Sequence, residues 1–314
     1  MKISFFTKPL SFATCVLLLS QSVFAQSSPK PEPDKIGLTL TTSITSSGEG
    51  RLNADSTAYK HVQINNSALA ISQTLGLGEA DSLTLSLAYD QTSVNEGNYH
   101  HFERDYSADK VPLPNELQSL GIALEHSKKV GKDWTFYSSI GAASHVDKHD
   151  LLSKGWGTNW HLAALYTYNP NLALTFGLAY DSLSHDWKLI PLLGLEWKPA
   201  DKWSVAIGFP KTAVSYELLP RLKLSLAASG DGGTYYLKDD PRPGTAPRSL
   251  ADSKLEYTEA RLGFQADWKI NRTSSLSGAI GQVLYRNFKY IDRNYQLKAR
   301  DVVPFVSLAT NSAF

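Results

Sequence analysis

Cysteine and methionine are almost absent: the 314 residues hold one of each, Cys15 and Met1, both within the first fifteen positions. No disulfide can form within the rest of the chain, which excludes the small cross-linked scaffolds of secreted proteins and leaves a large core or a closed barrel. Excess charge is missing too. With 31 basic and 30 acidic residues the formal net charge is +1, and nothing in it points to a nucleic-acid partner. Long apolar runs are the third absence. Leu10 to Leu19 is shorter than the roughly 20 residues of a membrane-spanning helix, and no later stretch comes close, so any span must be made of strands.

That apolar run lies between Lys2 and Lys8 on one side and Val23 and Ala25 on the other, the pattern of a secretory signal over residues 1–25, with cleavage before Gln26. Cys15 sits inside the run rather than at a cleavage point, which argues against a lipid anchor. Residues 26–35 are polar with three prolines and read as a flexible periplasmic leader. The folded unit is then 36–314. Without Lys2 and Lys8 the mature chain from Gln26 carries 29 basic against 30 acidic residues.

The clearest pattern is Lys188 to Phe209. Leu189, Leu193, Leu195 and Trp197 alternate with Gly194, Glu196 and Lys198; Pro199, Ala200 and Asp201 break the row, and Trp203, Val205, Ile207 and Phe209 resume it. A period of two on both sides of a polar break is a hairpin. Trp197 and Trp203 flank its turn at the ends of the apolar rows, where amphipathic rings settle at a membrane boundary. A soluble two-sheet sandwich would present similar hairpins, so the whole chain must decide.

Similar rows recur. Ile36, Leu38, Leu40 and Ile44 mark a first strand, and Tyr59 to Leu77 a second whose apolar parity switches between Val62 and Ile64 and the later Leu69, Ile71, Leu75 and Leu77. A bulge near Asn65 to Ser67 is the expected cause. Further strands follow through Leu83 to Tyr89, Leu120 to Leu124, Trp134 to Ile140, Trp160 to Tyr168, Leu172 to Tyr180, Val214 to Leu218, Leu222 to Leu226, Leu262 to Trp268, Leu276 to Leu284 and Val306 to Phe314. Connections alternate between short, around Glu79, Gly131, Pro170, Ala200, Pro220 and Asn271, and long, with one short link at Pro210 and Lys211 on the long side. A sandwich has no reason to alternate its loops; a membrane barrel does. The expected fold is therefore all-β, a transmembrane antiparallel up-and-down β-barrel of 12 to 14 strands in the outer membrane of a Gram-negative bacterium. Trp134, Trp160, Trp197, Trp203 and Trp268 form its aromatic girdle and Phe314 its C-terminal insertion signal.

The run from Pro191 to Leu226 resembles an uncharacterised family of Gram-negative outer-membrane barrels, a domain of unknown function, through Pro191, Gly194, Trp197, Pro199, Trp203, Gly208, Pro210 and Tyr216. The resemblance implies a fold and an address and no activity. The partners expected at that address are membrane lipid and lipopolysaccharide, the outer-membrane insertion machinery and small solutes.

With the apolar rows toward lipid, the alternate rows define a lumen. Ala173, Thr175, Gly177, Ala179, Ser204, Ala206 and Gly208 are small and leave room along one wall, while Asp90, Glu125, Glu196, Glu217, Arg221, Lys223, Glu259 and Arg261 are the expected charged lining. The leading expectation is a passive pore for small solutes; a closed structural or surface-interaction barrel and an outer-face lipid- or peptide-modifying enzyme are the alternatives. Gly208, Phe209 and Pro210 form either a tight turn or a kink opening toward lipid. For an enzyme, Ser184, His185 and Asp186, or Ser144 and His145, would have to meet as nucleophile, base and acid, and no motif brings them together, so the chain reads as no enzyme. His100, His101, Phe102, Glu103, Arg104 and Asp105 read as a polar loop rather than a metal site, and no cofactor is expected. Gly230 to Ser253, a long Gly- and Asp-containing loop, has the length to fold into the lumen.

Overall fold

The computed structural model describes residues 36–53, 57–95, 99–101, 113–147, 151–152, 154–185, 188–208, 211–237, 252–291 and 295–314. The expected signal and leader, the 102–105 stretch, Asp186, Phe209 and Pro210 lie outside them. Within them the chain is built from strands: β1 (Ile36–Ser47), β2 (Gly50–Asn53), β3 (Thr57–Gly76), β4 (Asp81–Asn95), β5 (Tyr99–His101), β6 (Glu116–Val130), β7 (Trp134–Asp147), β8 (Trp156–Asn169), β9 (Leu172–Asp181), β10 (Leu189–Ala200), β11 (Trp203–Gly208), β12 (Lys211–Leu219), β13 (Leu222–Leu237), β14 (Ser253–Lys269), β15 (Ser274–Tyr290), β16 (Tyr295–Ala299) and β17 (Val303–Ala313).

Three of these, β2, β5 and β16, belong to the long connections. The other fourteen pair antiparallel with their neighbours, and the ring closes where β17 meets β1 from Thr39 opposite Ala313 to Ser47 opposite Phe305. Phe314 completes the seam: its N–H donates to the Leu38 carbonyl at 2.8 Å, and its own carbonyl accepts from the Leu38 N–H at 3.3 Å. Closure leaves no strand edge at the seam, the condition for putting strands in lipid. Both ends of the ring lie at the short-turn end.

The outer surface carries the apolar rows. Leu85, Leu87, Ile122, Leu124, Ile140, Leu162, Phe176, Leu193, Phe264, Ile280, Val306 and Leu308 all stand on the outer surface, the place of lipid-facing side chains. Rings gather at the two margins of this band. At the short-turn end Trp134 packs on Tyr166 at 4.7 Å between centroids and Trp203 on Tyr216 at 5.0 Å, with Trp197 and Trp268 exposed beside them. At the far margin Trp160 stacks on Tyr180 at 5.7 Å. The eight steps from Trp160 to Tyr168 span about 20 Å along the membrane normal at a rise near 3.3 Å and a tilt near 40°, comparable to the expected band of about 25 Å.

Above this band the architecture changes. Between β15 and β3 the pair β17 and β1 gives way to β16 and β2, with Lys298 opposite Asn53 and Ala299 opposite Leu52. On the other side β13 runs on past β12 and reaches β7, forming a parallel bridge of Tyr236 with Val146. The strands β13, β14, β15, β16, β2, β3, β4, β6 and β7 therefore close a second, narrower ring above the first. Its interior is apolar and shut: Leu52, Tyr59, Val62, Ile64, Val94, Leu113, Leu117, Tyr235, Leu237, Leu255, Tyr257, Phe288, Tyr290 and Leu297 form one buried cluster.

This second ring corrects the reading of β3. Its register is unbroken from Gln63 opposite Asn95 to Gly76 opposite Ser82, so Asn65 to Ser67 hold no bulge. Val62 and Ile64 point inward because the ring above the membrane has an apolar core, whereas Leu69, Ile71 and Leu75 point outward because lipid surrounds the strand lower down. The irregularity in β3 lies higher, where Gly50 pairs with Val62 and Leu52 with Tyr59, and His61 there takes a positive φ of 61°. Gly230 to Leu237 is likewise no loop but the upper part of β13, and it builds the ring rather than filling the lumen.

Candidate functional site: the barrel interior and its low wall

Beneath the apolar core lies a charged layer. Glu259 on β14 is buried and accepts hydrogen bonds from Tyr257 Oη at 2.6 Å, from Arg286 Nε on β15 at 2.6 Å and from Arg261 Nε. Arg286 also donates through Nη2 to Ser47 Oγ on β1 at 2.9 Å, and Arg261 Nη2 lies 3.0 Å from Asp231 Oδ2 on β13. The layer crosses four strands. On β3 and β4, Asn66 Nδ2 donates to Asp90 Oδ2 at 2.8 Å and to Thr92 Oγ1 at 3.1 Å.

Just below, Phe305 of β17 lies across two glycines. A Cβ on Gly281 would stand 2.8 Å from its Cε1 and one on Gly263 2.9 Å from its Cζ, and the Arg261 guanidinium carbon sits 5.8 Å from the ring centroid. The ring thus fills space that only glycine can vacate and presents its face to a cation. Lower still, Asp267 accepts from Ser277 Oγ at 2.7 Å and from Gln265 Nε2 at 2.6 Å and lies 3.5 Å from Lys223 Nζ.

Of the charged lining expected from sequence, Asp90, Glu125, Glu196, Glu217, Lys223, Glu259 and Arg261 share the inward-facing parity of their strands. Arg221 does not. It is exposed in the turn between β12 and β13, at the short-turn end, because Pro220 and Arg221 are the two residues that reverse the chain. Arg286, Asp231 and Asp267 complete the networks and were not picked out. Arg286 was hidden by a bulge: Arg261 pairs with Val283 but Ala260 with Tyr285, so the odd inward parity of lower β15 becomes even above Leu284.

Among the described residues, those weighed for catalysis do not converge. Ser144 Oγ donates to the Lys154 carbonyl at 2.9 Å on the outer side of β7, while the His145 ring lies inside, edge-on to Tyr235 at 5.8 Å. Ser184 is buried and His185 follows it, exposed, beyond β9. His100 and His101 lie on β5 opposite Ala58 and Thr57.

The wall itself is uneven. β9, β10, β11 and β12 have 10, 12, 6 and 9 residues, against 16 and 17 in β13 and β14. A strand needs about 9 to 11 residues to cross the hydrocarbon. β11, with six, cannot. Its last pairs are Gly194 with Gly208 and Ala206 with Ala213, and β12 leaves β13 after Lys211 opposite Ser229. Among the described residues, Leu189 to Leu193 on β10 and Gly230 to Gly233 on β13 therefore have no strand partner on the sides that face each other. Leu189 and Leu193 point outward at this height, 48% and 67% exposed, so the apolar band continues above the point where β11 stops. The inner faces beside and below the gap are lined by Ala173, Thr175, Gly177, Ala179, Ser204, Ala206 and Gly208.

A closed fourteen-stranded ring with a lipid-facing apolar band, aromatic margins and a polar interior defines a β-barrel of the outer-membrane kind. The chain belongs to the family described as Domain of unknown function (DUF6268), whose model matches residues 84–305. No curated protein sequence matches it. Among solved structures it is similar to an outer membrane channel from Pseudomonas putida F1, with 13% identity and a TM-score of 0.48 over 91% of this chain and 98% of that one. It is also similar to a deletion mutant of the P. putida monoaromatic hydrocarbon channel TodX, at 11% identity and a TM-score of 0.47 over 90% of each chain. A third is the translocator domain of the autotransporter NalP from Neisseria meningitidis, at 11% identity and a TM-score of 0.38 over 95% and 96%.

Proposed function

We propose that the barrel is a passive outer-membrane channel for small solutes and that its outer entrance is the low wall above β11 and β12. The observation that carries this reading is the six-residue β11, which stops while Leu189 and Leu193 beside it still face lipid. The axial route from the long-loop end runs into the buried apolar cluster, so a solute reaching the small-residue wall from that end has its shortest path through the side. Within the charged lining, Glu259 pairs with Arg261, Arg261 with Asp231 and Lys223 with Asp267, and Asp90 accepts from Asn66, contacts that hold the shape of the lumen.

Vesicles bearing the refolded barrel test the reading. Uptake of a small uncharged fluorescent aromatic is expected to exceed that of empty vesicles several-fold and to fall back in Ala206→Trp, whose indole would stand on the inner face of the gap. The second reading, a closed barrel, is favoured by the packed upper ring. It wins if vesicles with and without the barrel fill at the same rate.

A further inference from the structure

On the outer face of the upper ring β16 and β2 run side by side. Leu297 and Leu52 are buried in the ring's core, which turns Lys298, Arg300 and Arg51 outward, and all three are exposed. The Arg300 N–H donates to the Arg51 carbonyl at 3.0 Å, and Lys298 stands opposite Asn287 of β15 on one side and Asn53 of β2 on the other. The neighbouring cation on β15 is engaged: Lys289 lies 3.8 Å from Glu256. Among the described residues no ion pair engages Arg51, Lys298 or Arg300.

Two further observations point to a ligand. The side-chain oxygens of Asn53 and Asn287 are buried without a hydrogen-bond partner, and they flank Lys298. A half-turn of either amide puts N–H donors there instead, ready for an anion. The second is depth. Leu284, 51% exposed, is the last lipid-facing residue of β15, and Asn287 stands three residues beyond it. Counted on β14, which the bulge at Leu284 does not lengthen, the advance to Thr258 opposite Asn287 is two to three residues, about 8 Å along the strand and about 6 Å along the membrane normal, within the headgroup layer that adds roughly 5 to 7 Å to each side of the hydrocarbon.

We propose that Arg51, Lys298 and Arg300, with Asn53 and Asn287, dock the phosphorylated sugar headgroup of an outer-leaflet glycolipid of the lipid A type. Guanidinium groups grip phosphate through paired N–H donors, and the lysine adds a point charge between the two amides. The depth selects a lipid over free phosphate, and long connections place this end of a barrel on the outer side. The proposal rests on that orientation and not on conduction.

The test is lipid retention by the chain refolded in detergent, read by native mass spectrometry. The probes are doubly phosphorylated lipid A, the same lipid stripped of both phosphates, and phosphatidylglycerol. The refolded chain is expected to retain the phosphorylated form preferentially over both others. The triple variant R51E/K298E/R300E should lose roughly 100-fold in affinity, while K202E, at the opposite rim, should lose nothing; heat-modifiable gel migration verifies that each is folded. Equal retention of the dephosphorylated lipid or of phosphatidylglycerol overturns the proposal, and neither comparison needs a variant. So does a folded triple variant that binds as tightly as the parent.

Discussion

Glu259 accepts from Tyr257, Arg261 and Arg286 while almost wholly withdrawn from solvent, so the layer beneath the apolar core depends on one carboxylate. Removing it leaves two buried guanidinium groups without their shared counter-charge, and breaking a buried pair from one side costs about 3 to 5 kcal/mol. Glu259→Ala should lower the stability of the vesicle-bound barrel by that amount in denaturant titrations; a loss below about 1 kcal/mol would mean that water reaches the arginines. Reversing the charge of Arg261 sets it against Glu259 and Asp231, so that variant should fail to fold. Parity in the sequence was enough to turn Asp90, Glu259 and Arg261 inward, but it said nothing of partners, because Ser47, Asp231 and Arg286 come from three other strands. Phe305 carries a second prediction. Gly281→Ala drives a methyl toward its ring and toward the Leu262 carbonyl, and overpacking of this kind costs about 1 to 3 kcal/mol.

Among the elements, strand existence and the side on which each loop lies were legible because lipid imposes one rule on every strand: alternate residues apolar, outward, over about ten positions. Where a strand leaves lipid the rule reverses. Val62 and Ile64 on β3, Tyr235 on β13 and Phe288 on β15 are inward and apolar, and a pattern scored by lipid-facing parity reads them as defects. β2, β5 and β16 were missed for a related reason, being only four, three and five residues long, too short to show a period. The low wall is where the lipid rule makes its own test. If β10 still faces hydrocarbon above Gly194, Leu193→Lys should cost about 2 to 4 kcal/mol, the cost of a lysine near the bilayer midplane. Ala206→Lys, on the inner face opposite Glu196 and three residues lower in register, should cost far less. Equal costs at the two positions would lift the gap out of the membrane and remove the side entrance with it.

For the whole molecule, two closed rings share β13, β14, β15, β3, β4, β6 and β7 and differ in what surrounds them. The lower ring meets lipid and keeps its interior polar; the upper stands above the hydrocarbon in polar surroundings and keeps its interior apolar. Each interior is thus the inverse of its solvent, and the charged layer at Glu259 and Asp90 marks the level where the inversion takes place. β8 to β12 take part only in the lower ring, and the bridge of Tyr236 to Val146 closes the upper one across them. Lys154 secures that closure from outside, donating to Tyr236 Oη at 3.2 Å and to Asp252 Oδ1 at 3.1 Å. It follows that the axial seal and the membrane barrel can be separated by substitution. Tyr235→Ala with Phe288→Ala deletes two of the largest side chains of the upper core, at about 3 kcal/mol or more each, yet touches no lipid-facing residue. The doubly substituted protein should keep its heat-modifiable migration and show ion-conducting steps in a planar bilayer several-fold larger than those of the parent. Parent and variant conducting alike would mean that the upper ring does not seal the axis, and the case for entry through the wall at β11 and β12 would lose its reason.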